Sequence, residues 1–152
     1  MKKVNIAVIG CGRIGQMHAK NVQLHENTNL ACIYDPNDEF AKKISIDLSV
    51  QAVKNVDEIF NNDEIDAVLI SSPTNTHIDF IEKSVAAKKP VFCEKPIDLD
   101  IHKVNECSKR LEGNTIPIQL GFNRRFDPGH QAAKKSLTCL LYTSDAADEC
   151  DS

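Results

Sequence analysis

Val4-Asn5-Ile6-Ala7-Val8-Ile9-Gly10-Cys11-Gly12-Arg13-Ile14-Gly15 decides how the rest of the chain is read. A short apolar run enters a G-x-G-x-x-G pattern, and helical spacing follows at once through Ile14, Met17, Val22 and Leu24. In that strand–turn–helix context the first glycine allows a tight turn. The second lets a backbone approach a pyrophosphate, and the third lets helix and strand pack closely. The helix N-terminus then presents free N–H groups, here from Arg13 and Ile14 onward, to an anion.

Outward from this unit, apolar runs and helical patterns alternate. Strands are expected at Val4–Ile9, Leu30–Tyr34, Ala67–Ser71, Pro90–Cys93 and Ile116–Phe122, about six in all. Helices are expected at Arg13–Glu26, Glu39–Leu48, His77–Lys88 and Asp100–Glu112, with a short turn at Asp57–Asn61. Gly113 reads as a helix stop. Strands alternating with helices of this length imply βαβ units with right-handed crossovers. The expected fold is α/β, a doubly wound and mostly parallel Rossmann-type sheet. Residues 1–122 form the dinucleotide-binding domain, and 123–138, with a helix over Pro128 to Leu137, start a second domain that is missing.

The chain has 152 residues and a formal charge of −4. The last fourteen residues hold four acids and no Lys or Arg, so residues 1–138 balance at 18 of each sign. Aromatic residues are 5% and Trp is absent, so neither a basic face nor a stacking platform for nucleic acid is expected. No apolar run approaches the roughly 20 residues of a membrane span, and the run ending at Ile9 is too short for a signal-peptide core. These features place the chain in the cytoplasm. The six cysteines form no C-x-x-C pair and no metal-binding spacing, so buried reduced thiols and no metal are expected. Residues 139–149 show no period and resemble a translated sequencing-library adapter, so 139–152 are expected to be a non-native tail that packs on nothing.

Three further segments carry chemistry. Asp35 ends the second strand, 20 residues after Gly15, where a carboxylate takes both hydroxyls of an adenosine ribose and repels a 2′-phosphate. Ser71-Ser72-Pro73-Thr74-Asn75-Thr76-His77 follows the third strong strand, at the edge where open α/β sheets bind ligands. Ser71, Ser72, Thr74, Asn75 and His77 are candidates to line the ribose. Asn75 or Thr76 equally suits the N-cap of the next helix, and His77 a first-turn surface position. Glu94-Lys95-Pro96 ends the next strand on the same edge, where a Lys can bind a substrate hydroxyl and help its proton leave.

Gly10–Gly15, Tyr34-Asp35, Ser71–His77, Glu94-Lys95-Pro96 and Gly121-Phe122-Asn123-Arg124-Arg125-Phe126-Asp127 occur in this order. Together they resemble the Gfo/Idh/MocA family of NAD(P)-dependent oxidoreductases over residues 1 to about 137, and within it the inositol-oxidising members. The resemblance implies that Lys95 is the catalytic lysine, that Glu94 and Arg125, with Arg124, lie near cofactor or substrate, and that the Lys95–Pro96 peptide is cis. It implies NAD as cofactor, a cyclitol secondary alcohol as substrate (myo-inositol going to its 2-keto form), and a homotetrameric or dimeric parent. The family takes a D-x-x-x-H pair from its second domain. Asp98 and His102 fit that spacing but follow Lys95 too closely, and they read as an N-cap and a helix-surface residue. Two alternatives stay open: another sugar or polyol as substrate, or a non-catalytic dinucleotide-binding module, which would have no need of Lys95.

Overall fold

The computed structural model describes residues 2–137. The expected non-native tail, 139–152, and with it Cys139 and Cys150, lies outside the described residues. The chain divides into two units, Met1–Gly121 and Phe122–Ser152.

The first unit is built on β1 (Val4–Ile9), α1 (Arg13–Leu24), β2 (Thr28–Tyr34), α2 (Asp38–Leu48), β3 (Gln51–Ala52), α3 (Asp57–Phe60), β4 (Ala67–Ile70), α4 (His77–Ala86), β5 (Val91–Cys93), α5 (Ile101–Arg110) and β6 (Ile118–Leu120). The strands form one sheet in the order β3-β2-β1-β4-β5-β6, and every pairing is parallel. The order reverses direction at β1 and β4, the switch point where a doubly wound sheet opens a crevice.

Alternation along the central strands explains why helices cover both faces. In β1, Ala7 and Ile9 face one core cluster and Val8 the other; in β4, Val68 and Ile70 oppose Leu69. The first cluster packs against Ile59 and Phe60 of α3 and Ile81 of α4, the second against Ala19 and Val22 of α1 and Ile44 of α2. Ile9, Ile33, Ile59 and Ile70 are at most 1% exposed, and each contributes about 1.5–3 kcal/mol by that burial. The register slips between Ile6 and Ala7, whose partners in β2 are Leu30 and Cys32. That slip puts both Ala31 and Cys32 toward the first cluster.

The third strand was not expected. It is two residues long and offers no alternation to detect, yet it brings the sheet to six strands. The N-cap of α5 is Asp100, whose carboxylate accepts the His102 N–H at 2.9 Å, and not Asp98. Asp98 caps the preceding turn by accepting from the Asp100 N–H. Helix α4 stops at Ala86 because Lys88 adopts a left-handed φ of 57°.

The second unit contains a 3-10 turn, Asn123–Phe126, and helical residues 128–137. Asp127 caps that helix by accepting the His130 N–H at 2.9 Å. His130 Nε2 faces Arg124 Nη1 at 3.1 Å, and Arg only donates, so Nδ1 carries the proton given to Asp127 Oδ1 at 3.0 Å. These bonds hold the Asp127 carboxyl below its usual range. No helix among the described residues is long and apolar enough to cross a membrane.

Cys11, Cys32, Cys93 and Cys107 are buried and free. Burial pushes the Cys11 and Cys93 thiols up to about 12 and Cys32 to about 11, with Asp35, Glu94 and Glu58 adding smaller effects in the same direction. A thiolate is therefore disfavoured in the fold relative to the unfolded chain. The stabilisation is complete below the unfolded thiol pKa near 9 and is lost as pH rises toward 11–12. Peptide mapping after treatment with a thiol reagent at neutral pH should find these four cysteines unmodified in the native chain and modified in denaturant. Stability measured against pH should fall above about pH 9.

Candidate functional site

The segments that follow the strands leave the sheet at one edge, because all six strands are parallel. A backbone rung fixes four of them. The Gly10 N–H donates to Tyr34 O, Ser71 N–H to Ile9 O, Glu94 N–H to Ile70 O and Gly121 N–H to Cys93 O, at 2.8–2.9 Å. Each loop thus begins one rung beyond its strand, hydrogen-bonded to the end of its neighbour. The loop after β1, the Asp35 turn, the Ser71 loop and the Glu94 turn share one rim.

The three glycines of the loop have different tasks. Gly10 adopts φ +96°, and a Cβ there would strike the backbone of Ser71 and Ser72. Gly15 sits in the first turn of α1, and a Cβ there would occupy the place of the Gly10 carbonyl and come within 2.8 Å of Ser71 Oγ. Ser71 Oγ donates to that same carbonyl at 3.0 Å. Gly12 differs: nothing of the protein lies within 4 Å of where its Cβ would be. Packing explains Gly10 and Gly15, while the space above Gly12 is left open.

Asp35 is held against this loop. Its Oδ2 accepts the Cys11 N–H at 2.7 Å and its Oδ1 the Asn37 N–H at 2.8 Å. One backbone bond per oxygen leaves lone pairs on both for a further donor. Between these segments lies a cleft of about 510 Å³. Its floor is Ile9, Gly10, Gly12 and Asp35, and Ser71, Ser72 and Asn75 form one side. Tyr34, Pro36, Phe40, Pro73, Thr76 and Phe80 complete it with mostly apolar surface.

Of the residues singled out in the sequence, Gly10, Gly12, Asp35, Ser71, Ser72 and Asn75 meet at this cleft. Arg13, Ile14 and Gly15 form the first turn of α1. Thr74 starts a 3-10 turn, Thr74–Thr76, and does not line the cleft. Glu94 and Lys95 follow β5 on the same rim, outside the cleft lining. The Lys95–Pro96 peptide is cis. Lys95 is exposed, and its ammonium has no partner among the described residues. Arg125 belongs to the second unit, where its side chain is exposed and its backbone carbonyl accepts from Gln131 Nε2 at 3.1 Å. No group of three or more His, Cys, Asp or Glu among the described residues could hold a metal ion.

Thr76 stands at the N-cap position of α4, one of the two residues the sequence offered for it, but its side chain makes no capping bond. Thr76 Oγ1 instead donates to Pro73 O at 2.7 Å and pairs with Ser72 Oγ. His77 is not a surface residue: it is 2% exposed, and both ring nitrogens are engaged. His18 was missed altogether. It lies on α1 one turn beyond Gly15, and its Nε2 is 2.8 Å from Glu94 Oε1. Its spacing of three from a glycine that must face the sheet was the available signal.

Gly15→Ala should cost about 3 kcal/mol or more in a denaturant titration, because the added methyl meets backbone that cannot yield. Gly12→Ala should cost no more than about 1 kcal/mol, the price of an unfavourable N-cap residue.

The model of the oxidoreductase family GFO_IDH_MocA, NAD-binding Rossmann fold, matches residues 4–122. Inositol 2-dehydrogenase of Rhizobium meliloti is 40% identical over 134 residues, covering 88% of this chain and 40% of that protein. The scyllo-inositol 2-dehydrogenase (NAD(+)) of Bacillus subtilis is 35% identical over 137 residues, covering 89% and 40%. Among solved structures, scyllo-inositol dehydrogenase from Lactobacillus casei with bound NAD(H) and scyllo-inositol superposes with a TM-score of 0.82 at 32% identity, covering 90% of this chain and 41% of that one. The chain therefore spans about two fifths of the length of these relatives. A G-x-G-x-x-G turn at the switch point of a parallel sheet, a carboxylate ending β2 and a family match over residues 4–122 lead to one conclusion: the chain belongs to the Gfo/Idh/MocA oxidoreductase family and carries its NAD-binding Rossmann fold.

Proposed function

We propose that this chain is the nucleotide-binding part of an NAD-dependent dehydrogenase that oxidises a secondary alcohol of a cyclitol, with myo-inositol going to its 2-keto form. The observation that carries the nucleotide half is the open space above Gly12, bounded by the Asp35 carboxylate and the N-terminus of α1. That space suits a pyrophosphate, since free N–H groups and the positive helix end converge there. The Asp35 oxygens, each with one backbone bond, suit the two hydroxyls of a ribose. Pro36 and Phe40 at the rim suit a flat adenine ring. Support for the substrate comes from the inositol dehydrogenases among the relatives.

When bound, NAD⁺ supplies the hydride acceptor. The chain's own residues do the rest of what this domain contributes. Gly10–Gly15 and Asp35 anchor the adenosine end, and the Ser71–Asn75 loop bounds the path toward the β5 edge. Lys95 stands free on that edge, where its ammonium can donate to a substrate hydroxyl and stabilise the oxygen as its proton leaves. The acceptor of that proton, by resemblance to the family, is a His paired with an Asp from a further domain. The intact enzyme is then a homo-oligomer without metal, nucleic-acid or membrane partners, working in the cytoplasm.

Cofactor choice follows from Asp35. A 2′-phosphate would meet this carboxylate with no nearby Arg to receive it, since Pro36 and Asn37 come next. Calorimetric titration should give NAD⁺ an advantage over NADP⁺ of about 2 kcal/mol, roughly 30-fold. Asp35→Ala should erase it. Equal affinities, or a preference untouched by the substitution, would exclude this role for Asp35.

By resemblance to the family, the second wall of the pocket comes from a further domain. Losing that positioning forfeits roughly 7–11 kcal/mol of barrier lowering, and losing the base a further 10²–10⁴-fold, about 3–5 kcal/mol. The 152-residue chain should therefore bind NAD⁺ yet produce no NADH from myo-inositol. The full-length protein should produce it, and Lys95→Ala there should lower kcat by about 10²-fold or more. Turnover by the short chain that disappears with Lys95→Ala would move the catalytic base into this domain.

A further inference from the structure

The Lys95 ammonium makes no hydrogen bond or ion pair among the described residues, so its aim depends on its backbone. The residues on either side of it are each held by an imidazole. On the N-terminal side, His18 Nε2 lies 2.8 Å from Glu94 Oε1, and the two side chains are only 16% and 20% exposed. The His18 ring meets Phe92 edge-on at 5.5 Å, which orients it. The other carboxylate oxygen of Glu94 accepts the Lys95 N–H at 3.3 Å. On the C-terminal side, His77 Nδ1 lies 2.7 Å from Pro96 O and its Nε2 2.8 Å from Ser72 O. Both of these partners are backbone carbonyl oxygens, which only accept.

We propose that His18 and His77 are positioning residues for Lys95, clamping the Glu94–Pro96 turn from α1 and α4 so that the lysine is held in one place relative to the cofactor cleft. The proposal rests on the dehydrogenase reading for the role of Lys95 and adds how that role is secured. Each histidine joins the lysine turn to an element that also frames the cleft. His18 is on the helix whose first turn opens over Gly12, and His77 grips Ser72 of the cleft wall. The side chains that enclose cofactor and lysine thus share two braces. Each histidine directs its polar ring atoms to the segments around the lysine turn, His18 to Glu94 and His77 to Ser72 and Pro96.

Two measurements on three variants test the clamp. His18→Leu removes the donor to Glu94, His18→Gln restores one, and His77→Asn can reach only one of the two carbonyls. In the 152-residue chain, hydrogen exchange at the Glu94 and Lys95 amides should speed up about tenfold in His18→Leu and His77→Asn, with β1 amides unchanged and His18→Gln close to wild type. In the full-length enzyme, kcat should fall by up to about 10²-fold in the same two variants, with KM for NAD⁺ within about twofold and substantial rescue by His18→Gln. Unchanged exchange at the turn would overturn the clamp. Faster exchange with unchanged kcat would reduce both residues to staples of the fold and overturn the positioning role. Should His77→Asn fail to fold, the His18 pair decides by itself. If the wild-type enzyme does not oxidise inositol, the functional reading fails instead, and exchange at the turn still decides whether the clamp exists.

Discussion

Helix α1 crosses the end of β1 so closely that the Gly10 carbonyl lies where a Gly15 side chain would begin. This contact is steric, and no rotamer change relieves it. It sets the direction in which α1 leaves the sheet, and much of the rim follows from that direction. The helix N-terminus opens over Gly12, Ser71 Oγ reaches back to Gly10 O, and His18, one turn further on, arrives beside Glu94. The same face of α1 continues into the core, since Ala19 and Val22, four and seven residues after Gly15, pack beneath β1 and β2.

The parallel sheet supplies the second ordering device. Four loops start on a backbone rung to a neighbouring strand end, so groups remote in sequence reach the rim in register. Charge is used sparingly along it. Asp35 is satisfied by two backbone N–H groups, Glu94 by a histidine and a backbone N–H, and Lys95 by no group of the described chain. A free cation near a braced carboxylate suits a site whose partner arrives from outside, and the dehydrogenase reading gives it one.

What could be read from residues alone divides along local and non-local lines. The glycine turn, the carboxylate at Tyr34-Asp35 and the Glu-Lys-Pro turn were legible because each is a short pattern attached to a recognisable strand end. β3 was not, because two residues carry no period and Gln51–Ala52 is held only by pairing with Cys32 and Ile33. Asp100 was passed over for Asp98 because both precede the helix by a plausible distance, and only the backbone path decides which one meets the His102 N–H. For His77 a place lining the cofactor and a surface position both stood open, and it takes neither, because its burial depends on carbonyls five and nineteen residues away. For His18 the local signal existed in its spacing from Gly15, but its partner, Glu94, is 76 residues distant.

The central claim is that the space above Gly12 is a pyrophosphate site leading toward Lys95. A crystal structure of the chain soaked or grown with NAD⁺ tests it most directly. The expected result is a pyrophosphate on the N–H groups following Gly12, ribose hydroxyls on Asp35 and the nicotinamide ring on the Lys95 side of the rim. The dinucleotide at the opposite end of the sheet, in the polar hollow lined by Asn5, Asn29 and Gln51, or with its nicotinamide directed away from Lys95, would contradict it.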